Sequence, residues 1–92
     1  MQSNPSRKQV AYQHSVVGVI ASARAVMRRH GLHGSVAVDE GTLTMLPPSA
    51  DHRVTIATGA SVKHARISAD WFHDPGRYRH AIESAVDAAL AG

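Results

Sequence analysis

The sequence predicts an α+β fold: a two-layer sandwich in which a four-stranded antiparallel meander carries an N-terminal and a C-terminal helix on one face, in the order α-β-β-β-β-α. Three observations point there. The stretch from His52 to Phe72 alternates polar and apolar residues on both sides of Gly59-Ala60, the period expected of two half-buried strands joined by a tight turn. The segments before and after the strands instead space their apolar residues by three and four, as amphipathic helices do. Each helix then has one apolar stripe and the strands one apolar face, and burying them against one another is the economical arrangement.

The first six residues, with Ser, Asn and Pro and nothing to bury, read as a disordered tail, leaving residues 7–92 as a single domain. Ser6 is placed to cap a helix beginning at Arg7. Its stripe comprises Tyr12, Val16, Val19, Ile20, Ala23, Val26 and Met27. Gly18 costs up to ~1 kcal/mol there relative to Ala, so its presence suggests a neighbour packed close. Arg28, Arg29 and His30 suit the negative end of the helix dipole, and Gly31 suits the C′ position. Off the stripe, Val10, Val17, Ala21 and Ala25 offer more apolar surface than one sheet needs.

Two strands, Ser35–Asp39 and Thr42–Leu46, would be joined through Glu40-Gly41, pairing Val38 with Leu43 and Val36 with Met45. Pro47-Pro48 then ends pairing, because proline has no N–H to give a ladder. In the central hairpin a two-residue loop at Gly59-Ala60 sets Arg53 opposite Arg66, Val54 opposite Ala65, Thr55 opposite His64 and Ile56 opposite Lys63. One face then carries Val54, Ile56, Ala65, Ile67, Ala69 and Trp71; the other carries Arg53, Thr55, His64, Arg66, Ser68 and Asp70. A slip of one residue would send the apolar set into water. Asp74 and Pro75 read as N-cap and first residue of the last helix. Its stripe is Tyr78, Ile82, Ala85, Val86, Ala89 and Leu90, with Arg79 and Glu83 paired at i,i+4 on its wet side.

Ten Lys and Arg against seven Asp and Glu give a formal net charge of +3, with a pI near 10.0. That balance permits nucleic acid or an acidic protein as partner. There is no cysteine, so no disulfide and no thiolate chemistry. Neither a leader pattern nor an apolar run of ~20 residues is present, and a cytoplasmic location without membrane contact is expected.

The sharpest lead is the sheet face away from the helices. Like charges opposite each other on a sheet are destabilising, so Arg53 and Arg66, with His64 beside them, suit an anionic partner. Arg77 and Arg79, at the start of the last helix, are further candidate anion- or nucleic-acid-binding residues. Phe72 alone among the aromatics shares that parity, which supports a base-stacking platform poorly. A homodimer or adaptor contact through the first helix or a sheet edge is the alternative. No catalytic, cofactor or metal site is expected. Asp51-His52 near Ser49 contains triad residue types without triad geometry, and Glu83 with Asp87 reads as solubilising. His30 with His33, and His73 with Asp74, lack the supporting ligands of a metal site.

The helix–strands–helix order is similar to that of double-stranded RNA-binding domains, in topology only. That family places a lysine-rich cluster at the start of its last helix. Here Arg77, Arg79 and His80 stand in that place, and one strand is in excess. The run KHARISADWFHDPGRYRHAIESAVDAAL within Val54 to Leu90 resembles short uncharacterised proteins of Burkholderia-type bacteria, a resemblance that brings no activity, cofactor or site.

Overall fold

A computed structural model describes residues 7–38 and 51–92, the side chains of residues 7–12 excepted. Along the chain lie α1 (Arg7–Arg29), β1 (Gly34–Val38), β2 (His52–Thr58), β3 (Val62–Ile67), α2 (Ala69–His73) and α3 (Arg79–Ala91). The expected tail and its Ser6 cap lie outside the described residues. So do the Glu40-Gly41 loop and the strand Thr42–Leu46.

α1 takes the expected stripe. Val19, Ala23, Val26 and Met27 are buried, and Val16 and Ile20 pack beside them. It stops where Gly31 adopts a left-handed backbone, φ +68°. The Leu32 N–H then donates to the Met27 carbonyl at 2.9 Å and the Gly31 N–H to the Arg28 carbonyl at 3.1 Å. These are the two bonds of a Schellman motif, with Leu32 packed on the core as its apolar partner. Gly18 has the neighbour its position suggested: a Cβ there would lie 2.6 Å from Pro75 Cγ.

The described sheet is antiparallel, in the order β1-β2-β3. Between β2 and β3 the expected register holds, with Arg53 opposite Arg66, Val54 opposite Ala65, Thr55 opposite His64 and Ile56 opposite Lys63. β1 pairs directly with β2, Val36 opposite Ile56 and Val38 opposite Val54. This corrects the meander, which set the segment Thr42–Leu46 between them. The direct pairing sets the two valines of β1 against two core positions of β2, Ile56 and Val54. Val36, Val38, Val54, Ile56, Ala65 and Ile67 are all buried, in one cluster with α1 and with Phe72, Ile82 and Val86.

Two further expectations give way. The last strand was expected to run through Phe72, but β3 ends at Ile67 and Ser68 caps the short helix α2, its hydroxyl accepting from the Trp71 N–H at 3.4 Å. Phe72, expected outward, is buried, because helical geometry turns it under the sheet. Asp74 does not cap α3. It accepts the Arg77 N–H at 3.3 Å and closes a turn over residues 75–78, and α3 begins with Tyr78 at its N-cap and no side-chain bond.

The hairpin turn also works differently from its sequence signal. Thr58 N–H donates to the Ser61 carbonyl at 2.9 Å and the Thr58 hydroxyl to the same carbonyl at 3.2 Å. Gly59 needs no left-handed backbone, since Gly31 is the one glycine with positive φ among the described residues. A Cβ on Gly59 would meet nothing within 4 Å, whereas one on Gly34 would lie 2.0 Å from the Ala57 carbonyl oxygen across the ladder. Thermal unfolding should separate the two glycines. Gly59→Ala is expected to stabilise by about 0.4–1 kcal/mol through the unfolded chain. Gly34→Ala is expected to lower stability by about 1–3 kcal/mol through overpacking; equal effects would refute the β1–β2 contact.

Candidate anion-binding face

Strand alternation builds this face. Side chains that follow the buried Val54 and Ile56 by one residue project the other way. Arg53, Thr55 and Ala57 of β2 therefore sit outward, flanked by Ser35 and Ala37 of β1 and by Val62, His64 and Arg66 of β3. Arg53 and Arg66 are direct cross-strand neighbours. The Arg66 side chain is 83% exposed, and its Nε lies 3.8 Å from Asp51 Oδ2, a loose contact at the end of the strand. Beside them Thr55 Oγ1 and His64 Nδ1 are hydrogen-bonded at 3.1 Å, which orients the imidazole.

The five candidate residues thus fall into two groups. Arg53, His64 and Arg66 come together on the sheet. Arg77 and Arg79 lie elsewhere, on the segment entering α3. The Arg77 guanidinium sits 5.5 Å from the centre of the Tyr78 ring, while Arg79 Nε donates to Glu83 Oε2 at 2.7 Å. Arg79 is therefore already engaged by a carboxylate, which it shares with Arg29.

Glu83 was expected on a solvated helix face, and that is corrected. It is buried and also receives Arg29 Nη1 of α1 on its other oxygen, at 3.0 Å. Asp87, one turn on, bonds the His30 imidazole at the C-terminus of α1. Both carboxylates tie α3 to α1, and the Arg79 hydrogen bond holds the Glu83 carboxyl below the usual carboxylate range, Arg29 reinforcing it and burial opposing.

His52 is the residue whose role was overlooked. It shares parity with Val54 and Ile56, which was the available signal. Its ring is buried and stacked on Phe72, centroids 3.9 Å apart. Among the described residues nothing hydrogen-bonds its buried Nδ1. Burial pushes this imidazole below its ordinary value; His73 adds to the shift and Asp51 works against it. Ser49, the third of the triad residue types, lies outside the described residues.

Among the described residues no group of three or more His, Cys, Asp or Glu is placed to hold a metal ion. Nor is any helix long and apolar enough to cross a membrane. A groove of 260 Å³ between α1 and the turn before α3 is lined by Gly18, Ala21, Ser22, Ala25, Arg28, Pro75, Gly76 and Arg79, with no carboxylate or imidazole. Comparison with protein-family models, with curated proteins and with solved structures finds no match.

The two perturbed groups give separate acid responses. His52 binds its proton less readily folded than unfolded, so its stabilising contribution is complete above its ordinary value of 6.5 and declines as pH falls below it. Glu83, depressed when folded, contributes fully above 4.5 and loses its contribution only in stronger acid. Melting temperatures across pH 7 to about 5 should fall for the wild type and fall less for His52→Phe. Parallel curves would show that His52 does not titrate in the core.

Proposed function

We propose that this domain is a non-enzymatic binding module that holds an anionic partner, nucleic acid foremost, on the outward face of its sheet. The observation that carries this reading is the register that sets Arg53 opposite Arg66 with His64 alongside. Cations at adjacent ladder positions repel, at a cost of tenths of a kcal/mol. The cost is recovered when phosphate or carboxylate oxygens lie across them. In support, the helices and the inward side chains of the strands share one buried cluster, while Arg53, His64 and Arg66 are exposed. Arg77 is a secondary contact in this reading; Arg79, held by Glu83, is not.

The alternative, a homo-oligomer or adaptor, draws on two exposed large apolar side chains, Val17 of α1 at 67% and Val62 of β3 at 58%. Electrostatics weighs against a β3 edge contact between copies. β3 carries Lys63, His64 and Arg66, so two like strands would bring cations together, and charged edges oppose such pairing. Val17 by itself is an ordinary isolated surface hydrophobe.

Binding and stability should move in opposite directions at this face. Arg53→Thr and Arg66→Thr are expected to leave thermal stability unchanged or raised by a few tenths of a kcal/mol, while lowering affinity for an oligonucleotide at low salt. Titration at two salt concentrations, with melting curves of each variant, tests this. Unchanged binding would exclude the face; dimers in light scattering at the same concentrations would favour the alternative.

A further inference from the structure

We infer that this face grips its partner by the phosphate backbone and not by the bases, so that the partner is duplex nucleic acid bound without sequence preference. The inference rests on the sheet-face reading above and sharpens it. The chain has one Trp, two Tyr and one Phe, and none of the four belongs to a described strand. Phe72 is buried on His52, and Trp71 of α2 packs against the core. Tyr78 stands at the start of α3 beneath Arg77, and Tyr12 belongs to α1. The end of β3 at Ile67 decides this, because a strand continued to Phe72 would have set that ring on the outward parity.

Surfaces that bind single strands draw much of their affinity from bases stacked on rings. Here the one ring on the face among the described residues is His64, tethered to Thr55. What remains for recognition is charge, and phosphate contacts carry no sequence information. A duplex presents one charge per ~1.7 Å of axis against ~3.4 Å for each strand, so paired arginines favour it.

Fluorescence anisotropy with the full chain tests the inference, using a labelled mixed-sequence duplex, a scrambled duplex and the corresponding single strand. The two duplexes should bind within about twofold of each other, and both more tightly than the single strand. Arg53→Ala/Arg66→Ala should weaken both duplexes alike and reduce the slope of log K against log salt by about 2. A preference for the single strand, or for one duplex, that is lost in this double variant would overturn the inference while leaving the sheet-face reading intact. Binding to none of the probes, or binding indifferent to the double variant, would overturn both.

Discussion

β2 is hydrogen-bonded on both sides, and its alternation constrains the placement of every other described element. Val54 and Ile56 have no exposed surface, and each is matched by an apolar residue of β1. Shifting β2 by one residue would bring Arg53 and Thr55 into the core and set both aliphatic side chains in water. Each fully buried aliphatic side chain is worth about 1.5–3 kcal/mol, and a domain of this kind is stable by only about 5–15 kcal/mol. No slipped register survives that loss. The same alternation that secures the core therefore secures the outward row, and Arg53 faces Arg66 because Val54 faces Ala65.

A second constraint joins the helices. Glu83 accepts from Arg29 and Arg79 together, and Asp87 from His30. The cationic end of α1 also sits favourably against its own helix dipole, so the carboxylates of α3 meet charges already suited to that place. Gly18 against Pro75 adds a close approach on the same pair of elements. A carboxylate with little exposure shared by two guanidiniums fixes geometry more than it adds net stability, since desolvation consumes much of the Coulomb gain.

Local periodicity made much of this legible. The α1 stripe, the Gly31 stop and the β2–β3 register follow from spacing and from one left-handed position. What stayed hidden depended on choices that spacing does not encode. The run Ser68–Phe72 alternates like a strand, yet Ser68 is also an N-cap residue, and the cap prevails because helical turning buries Phe72 on His52. The partner of β1 was equally ambiguous, for Val36 and Val38 match Leu43 and Met45 in sequence as well as they match Ile56 and Val54. Glu83 was read by its i,i+4 partner alone, because the approach of Arg29 requires α1 and α3 already packed. At the candidate face, Arg53, His64 and Arg66 came from parity, while Arg77 and Arg79 came from proximity to a helix start and parted company once the chain folded.

The contrast between the two arginine groups is itself an argument about function. Where the fold uses arginine structurally, it supplies a carboxylate at hydrogen-bonding distance, as Glu83 does for Arg29 and Arg79. On the sheet, Arg66 lies across the ladder from Arg53, and its 83% exposed side chain meets the Asp51 carboxylate at 3.8 Å. Natural sequences are locally consistent almost everywhere, and a conflict between neighbours that folding alone would remove is expected where something besides stability is being served. Threonine at either position would suit a strand better and repel nothing. The cost of keeping both arginines is small, but its placement on the outward row of the described strands, where Arg53, His64 and Arg66 are exposed, is what an anion would require.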